Sequence, residues 1–172
     1  HIPMYEALLG FFLTSAARRG EALKLPWSHL DLNAQTALFT ETKNGTNRTV
    51  PIGIEAIPIL AQLPRHYERV FPISIDDLKN TWKRMCARAG LEDFHIHDLR
   101  HCALSEMVED AFYAGRPMNL LEVQGVSGHR DLASLARYTH LSAGLMANRL
   151  DENRQLSLKK KRLHKGRPRA WG

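Results

Sequence analysis

With 172 residues, 44% of them hydrophobic and 24% charged, the chain is long enough to enclose a hydrophobic core as one globular domain. Its two cysteines are too few for a disulfide framework or a four-cysteine zinc site, and no apolar run is long enough to cross a bilayer. These features argue against a disulfide-stabilised secreted scaffold and against a membrane protein. We therefore expect a cytoplasmic protein.

The net charge of +6 is concentrated at one end of the sequence. Seven of the 24 basic residues and no acidic residue lie in residues 157–172, so the rest of the chain carries 17 basic against 18 acidic side chains. Such a run is most often a solvated end and next most often binds nucleic acid. We divide the chain into a body, residues 1–156, and a basic tail, residues 157–172. Because the sequence opens on His1 inside an apolar pattern, we expect it to be part of a longer protein.

The first residues predict two helices with a charged junction. Pro3 suits the first turn of one helix, and Pro26 ends a second helix at residues 20–25. Arg18 lies at the junction between two apolar segments, so we expect it to be partly buried. Glu21, three residues later, is placed to hold it.

The next stretch predicts a small sheet. Residues 29–32, 36–40 and 48–52 are rich in threonine and aliphatic side chains, which is typical of short strands. Asn44-Gly45 is a strong turn signal between the last two strands. Lys43 and Arg48 flank this turn, where a flexible lysine could reach a substrate.

The middle of the chain predicts two more helices. Residues 55–63 form one, with Pro58 interrupting it or marking its start. Ser74 begins the next, because Asp77 completes a capping box, and Gly90 ends it. The apolar stripe of this helix is assigned to the core: Leu78, Trp82, Met85, Cys86 and Ala89.

The last part of the body predicts a long helix and three short ones. The long helix covers residues 98–112, Asn119 begins the next, and residues 125–128 loosen the chain. Asp131 and Ser142 begin the remaining two. The inward side chains predicted for the long helix are Leu99, Cys102, Ala103 and Met107. The fold class is therefore mainly α with a small three-stranded antiparallel β-sheet.

The start of the long helix carries a pair of side chains with chemical potential. His97 and Arg100 are three residues apart, so they share one helical face, with Cβ atoms about 5–6 Å apart. A guanidinium beside an imidazole suits a phosphate that is held while protons move. The pair alone is weak support, because it also fits a solvated helix start.

Five motifs in a fixed order make the pattern specific. They are SAARRGE at residues 15–21, TKNGTNRTVP at 42–51, HDLRH at 97–101, SGH at 127–129 and YTH at 138–140. In this order and at these distances they resemble the boxes of the tyrosine recombinase (phage integrase) family, whose members break and rejoin DNA. The resemblance implies the catalytic domain of a site-specific recombinase.

Three residues depart from the family pattern. Ser15 and Ala16 stand where the first box has threonine and glycine, and we expect them to stiffen the turn that presents Arg18. Ser127 stands where the third box prefers leucine, which mainly affects packing. Members of the family also have an upstream helical domain that clamps DNA, and we expect this chain to lack it.

The resemblance implies a role for each motif residue. Tyr138 is the expected nucleophile, giving a 3′-phosphotyrosine and a free 5′-hydroxyl, and His97 is the expected acceptor of its proton. Lys43 is expected to protonate the departing oxygen. The phosphate is held by Arg18, Arg100 and His129, with Glu21 supporting Arg18. Because the tyrosyl bond keeps the phosphodiester energy and the arginines supply positive charge, the resemblance implies no ATP, metal or other cofactor.

Double-stranded DNA is the expected partner, and a homotetramer on two duplexes is the expected assembly; no membrane is expected. The residues expected to contact DNA outside the catalytic set are Arg19, Arg48, Arg130, Lys159, Lys160, Lys161 and Arg162.

Other function classes fit parts of the sequence. A zinc hydrolase would use His95, His97 and His101, but it lacks a glutamate between the last two and a clear distant ligand. A catalytically silent DNA-binding accessory factor of the same fold is the second alternative, and the intact catalytic set argues against it. A type IB topoisomerase shares the chemistry, whereas the compact size and the motifs favour a recombinase.

Overall fold

A computed structural model describes residues 2–40, 47–113, 118–129 and 133–138, together with residues 151, 154, 155 and 157. The chain divides into two compact units, residues 1–138 and residues 139–172, and the four described residues of the second are helical. The described α-helices are α1 (Ile2–Ser15), α2 (Arg19–Lys24), α3 (Ile57–Ala61), α4 (Ile75–Ala89), α5 (Ile96–Tyr113) and α6 (Leu120–Ser127). The described strands are β1 (Leu30–Asp31), β2 (Thr36–Phe39) and β3 (Arg48–Pro51). Short 3₁₀ helices cover Trp27–His29, Ile54–Ala56 and Ala133–Tyr138.

The predicted fold class is confirmed in the first unit, which is mainly helical with one small sheet. Its strands follow the order β1-β2-β3 and are antiparallel throughout. The register pairs Ala37 with Val50 and Phe39 with Arg48. Ala37, Phe39 and Val50 are buried, so this face of the sheet packs on the core.

Two clusters of buried side chains hold the first unit together. In the larger cluster the Phe11 ring of α1 meets Phe39 edge to face at 6.4 Å and Phe71 at 5.4 Å. Burying an apolar side chain of this kind stabilises a fold by about 1.5–3 kcal/mol. The smaller cluster contains Ala16, Ala103, Leu104, Val123, Val126, Leu135 and Tyr138. The ring of Tyr138 is therefore part of the core.

Helix ends follow the capping signals in the sequence. Ser74 Oγ accepts a hydrogen bond from the Asp77 backbone N–H at 3.0 Å, and Asn119 caps α6 in the same way. α4 and α6 each end on a glycine in the left-handed region, Gly90 at φ 66° and Gly128 at φ 61°. None of the helices in the described ranges has the length and apolar character that a membrane span requires.

Several local predictions were wrong. Cys102 is exposed, because the buried face of α5 is centred on Arg100 and Ala103, and two residues along a helix turn a side chain by about 200°. Ala89 of α4 is also exposed. Residues 125–127 are helical and form the end of α6, although an irregular segment was predicted there. The helix predicted at residues 55–63 is a 3₁₀ turn followed by α3, with Pro58 in its first turn.

Three predicted signals lie outside the described residues. They are the turn at Asn44-Gly45 and the helix starts at Asp131 and Ser142.

Candidate active site

A strained turn between α1 and α2 presents Arg18. Ser15 Oγ donates to the Phe11 carbonyl at 2.5 Å and accepts from the Ala17 backbone N–H at 3.3 Å. Between them Ala16 has φ 51°, a left-handed conformation that costs a residue with a side chain about 1–2 kcal/mol. The family pattern has glycine at this position, which adopts such a conformation without that cost.

Glu21 joins two arginines. Its Oε1 accepts from Arg18 Nη1 at 2.9 Å, and its Oε2 accepts from the Arg18 backbone N–H at 2.8 Å and from Arg48 Nη2 at 2.6 Å. The Glu21 side chain is only 9% exposed, so a carboxylate here needs the two guanidinium groups as partners. The contact expected between Glu21 and Arg18 is present. Arg48 is a further partner that residue spacing could not have identified.

The Arg48 side chain is largely buried beside Glu21. The register of β3 places it opposite Phe39, so both side chains share the inward face, and the guanidinium lies 5.3 Å from the Phe39 ring centroid. Its side chain is 10% exposed, and its Nε and Nη1 find no hydrogen-bond partner among the residues described. Burial lowers the pKa of Arg48, and the charge of Glu21 partly offsets this. The structure therefore gives Arg48 a largely buried position beside Glu21, while a contact with DNA stays a prediction.

α5 carries Arg100 into the interior of the first unit. Arg100 is 2% exposed and donates from Nη1 to the Ala16 carbonyl and from Nη2 to the Ser127 carbonyl. Burial lowers the pKa of Arg100 to about 10, and the charges of Arg18 and Arg48 act in the same direction. The group is still a cation at neutral pH. Both of these acceptors are neutral carbonyls, and the only carboxylate acting on Arg100 among the described residues is Glu21, whose charge raises the pKa of Arg100.

The two predicted phosphate-binding arginines fasten the end of α6 to the turn before α2. Arg18 Nη2 donates to the Gly128 carbonyl at 2.8 Å, and Arg100 reaches the carbonyl of Ser127. A Cβ on Gly128 would overlap Arg48 Nη1, and the positive φ also favours glycine here. Motifs that lie as much as 110 residues apart thus meet through guanidinium–carbonyl contacts.

The predicted set contains two histidines, one in α5 and one after the end of α6. His97 is in the first turn of α5 and is exposed. Partial burial of its ring lowers the pKa of His97, and nearby His101 and Arg100 act in the same direction, so the imidazole is neutral at pH 7. His129 follows Gly128 and is partly exposed, and its carbonyl accepts from Gln124 Nε2 at 3.1 Å.

A histidine that sequence reasoning considered only as a zinc ligand contacts the predicted nucleophile. The Tyr138 hydroxyl is hydrogen-bonded to His101 Nδ1, and the two rings are stacked at 21° with centroids 6.0 Å apart. The His97 ring meets the His101 ring edge to face at 5.0 Å. The helical spacing of His97, Arg100 and His101 is a signal that could have placed His101 in the same site.

The structure does not describe every predicted residue. Arg19, the first residue of α2, is exposed. The predicted residues outside the described ranges are Lys43, Arg130, Lys159, Lys160, Lys161 and Arg162.

The zinc alternative has no ligand set among the residues that the structure describes. His95 Nδ1 lies 3.5 Å from Asp98 Oδ2 on the surface. Across the described ranges, no three His, Cys, Asp or Glu side chains are arranged to hold a metal ion.

The sequence is similar to a known protein family and to a named recombinase. Residues 3–144 match the phage integrase family. The shufflon-specific DNA recombinase of Escherichia coli is 38% identical over 148 residues, which are 86% of this chain and 37% of that protein. The chain thus spans well under two thirds of the length of this relative.

Two solved structures share the fold. The catalytic domain of bacteriophage HP1 integrase matches with a TM-score of 0.62 at 24% identity, covering 88% of this chain and 91% of that one. The XerH site-specific recombinase, bound to difH substrate in a pre-cleavage complex, matches with a TM-score of 0.66 at 22% identity, covering 88% of this chain and 46% of that one. Because residues 3–144 match the family model and the E. coli recombinase is 38% identical over 86% of the chain, the chain belongs to the phage integrase family of tyrosine recombinases.

Proposed function

We propose that this chain is the catalytic domain of a site-specific DNA recombinase that cleaves and rejoins DNA through a 3′-phosphotyrosine at Tyr138, without metal or ATP. The observation that carries the proposal is the convergence of Arg18, Arg100 and Tyr138, which come from three separate motifs. Two fixed cations beside a phenol are suited to a reaction at a phosphodiester.

The arginines bind the phosphate in this proposal. Arg18 and Arg100 exchange their carbonyl acceptors for the two non-bridging oxygens of the scissile phosphate, because charge-assisted hydrogen bonds to phosphate are stronger than those to a neutral carbonyl. His129 donates a further hydrogen bond. Glu21 and Arg48 keep the Arg18 guanidinium in place, and losing one donor to the developing charge typically costs about 10²–10³-fold in rate.

The covalent step breaks one phosphodiester bond and forms another. Tyr138 Oη attacks phosphorus while its proton passes to a histidine of α5, for which the sequence pattern selects His97. The bond from phosphorus to the 5′-oxygen breaks, and Lys43 protonates that oxygen. Because the phosphotyrosine keeps the bond energy, a 5′-hydroxyl can reverse the step on a second strand without ATP.

Double-stranded DNA is the proposed substrate. The E. coli relative is named a DNA recombinase, and the XerH recombinase structure is bound to its difH substrate. Arg19, Arg48, Arg130 and the basic tail are proposed contacts to the DNA backbone, and Arg48 also acts through Glu21. The proposed assembly is four protomers on two duplexes. The proposed location is the bacterial cytoplasm, in association with the nucleoid, for a protein encoded by a bacterium or a phage.

Tyr138→Phe and Lys43→Ala test the covalent step. The substrate is a pool of nicked DNA duplexes with randomised flanking sequences, and the whole protein is used. Sequencing the DNA that becomes covalently attached to the wild-type protein identifies the preferred site. Tyr138→Phe keeps the ring but removes the attacking oxygen, so no adduct resistant to denaturant should form. Lys43→Ala should also lower the rate of cleavage strongly. Replacing the bridging 5′-oxygen with sulfur, which departs without a proton, should restore cleavage in this variant alone.

Each failure has a distinct meaning. Adducts formed by Tyr138→Phe would refute the nucleophile. Sulfur rescue of a His97 or His129 variant, but not of Lys43→Ala, would show that Lys43 is only a phosphate contact. A wild-type protein that binds the pool but never forms an adduct would be an accessory factor.

A further inference from the structure

The position of the Tyr138 hydroxyl is set by the core. Tyr138 is 5% exposed, and its ring packs in the smaller cluster with Leu104, Val123 and Leu135. A ring held in this way directs its hydroxyl to one place, and at that place the structure has His101 Nδ1 as a hydrogen-bond partner. In the tautomer of His101 that carries its hydrogen on Nε2, Nδ1 is free of a proton and accepts the hydrogen bond from the phenol.

The surroundings favour movement of this proton. Arg100 is close enough to Tyr138 for the two to interact electrostatically, so its cation stabilises the negative charge that develops on Oη. His101 immediately follows Arg100 on α5 and is partly exposed, so an imidazolium formed there is in contact with water. The geometry required of a general base, direct hydrogen-bond contact with the proton to be removed, is met by His101.

We propose that His101 is the catalytic base for Tyr138, a role that rests on Tyr138 being the nucleophile. As the Oη–phosphorus bond forms, the Oη–H bond breaks and its proton moves to His101 Nδ1, while the bond from phosphorus to the 5′-oxygen breaks. In rejoining, the 5′-hydroxyl attacks phosphorus and the His101 imidazolium returns the proton to the tyrosyl oxygen. His97, whose ring meets the His101 ring edge to face, then binds the phosphate beside Arg100.

Two His101 variants separate proton transfer from positioning. His101→Asn places an amide atom near the position of Nδ1, so it can still hold the hydroxyl, but it cannot take the proton. His101→Ala removes both functions and leaves a space beside Oη. Each is compared with His97→Ala in single-turnover adduct formation on the site recovered by the wild-type protein, after circular dichroism has checked folding.

Both His101 variants should lose about 10²–10⁴-fold in the rate of adduct formation, the range typical of a general base. Imidazole added to the buffer should restore part of the rate in His101→Ala, more so with more basic imidazoles, and should not restore His97→Ala. A role limited to positioning would leave His101→Asn near the wild-type rate, which would refute the proposal. Imidazole rescue of His97→Ala, with His101→Ala unaffected by it, would also refute the proposal.

A second measurement applies even if His101→Ala folds poorly. Replacing Tyr138 with 3,5-difluorotyrosine gives a more acidic phenol that needs no base at neutral pH. The His101→Asn substitution should then cost less than tenfold, whereas an unchanged cost would refute proton transfer to His101. Tyr138→Phe is the reference throughout: adducts with that variant would overturn the proposed nucleophile itself, while wild-type rates in both His101 variants would overturn only the base.

Discussion

The arginine side and the tyrosine side of the site are built in different ways. On the arginine side Arg18, Arg48 and Arg100 are held by Glu21 and by backbone carbonyls of the α1–α2 turn and of the end of α6. On the tyrosine side a hydrogen bond between two side chains joins Tyr138 to His101, and His97 lies at the surface. Positive charge is thus fixed by the fold before any phosphate arrives, whereas the proton-transfer groups are left where their protonation can change.

Arg100→Ala should have the largest effect on the arginine side. It removes a donor to the phosphate, so cleavage should fall about 10²–10³-fold. It also leaves the carbonyls of Ala16 and Ser127 without this donor, which should lower the free energy of unfolding by about 1–3 kcal/mol. Adduct rates and urea denaturation measure the two effects. Arg88→Ala, an exposed arginine of α4, is the control, and equal behaviour of the two variants would contradict the buried role.

Glu21→Gln tests whether the carboxylate keeps the two arginines together. The amide keeps the shape of the side chain but removes the negative charge between Arg18 and Arg48. The free energy of unfolding should therefore fall by about 3 kcal/mol. Misplacement of Arg18 should lower cleavage by up to about 10²-fold.

The matching double variant sharpens the test. Replacing Arg48 with methionine in the same chain removes the buried charge that Glu21→Gln leaves uncompensated, and it should recover part of the lost stability. Strictly additive losses in the double variant would mean that Glu21 and Arg48 are not coupled. Glu92→Gln, at an exposed position, is the control for the amide substitution itself.

Gly128→Ala should disturb the join between α6 and the arginines. Left-handed backbone costs alanine about 1–2 kcal/mol, and the added methyl group would overlap Arg48 Nη1. Gly90→Ala is a matched control, since it has a similar positive φ and its Cβ would meet nothing within 4 Å. Thermal unfolding should show a larger loss for Gly128→Ala, and only that variant should slow cleavage. Equal losses of thermal stability in the two variants would mean that the Arg48 side chain can move away from the added methyl group without destabilising the fold.

The smallest expected effect is on the titration of His97. Partial burial and the charges of His101 and Arg100 lower the pKa of His97, so its NMR titration midpoint should lie below the ordinary value of 6.5. His101→Gln removes the interaction with the His101 ring and should move the midpoint part of the way back, since burial remains. His97→Asn identifies the signal. Activity that needs neutral His97 should be lost only as the pH falls through this lowered pKa, and a midpoint above 6.5 would contradict the structure.

Local signals in the sequence determined much of this protein. Capping residues such as Ser74 and Asn119 set helix starts, because their side chains bond to backbone groups two or three residues away. The Arg18–Glu21 pair was predictable for the same reason, as three residues bring side chains together at a helix start. The order of the motifs identified the family.

Tertiary structure alone decided the contacts that join distant segments. The β2–β3 register turned Arg48 inward to Glu21, 27 residues away, and the burial of Arg100 left Cys102 exposed on the other face of α5. His101 meets Tyr138 across 37 residues because the 3₁₀ helix packs against α5, and no spacing rule reaches that far. Periodicity specifies which side chains lie on one face of an element, whereas the packing of elements against one another specifies what each face meets.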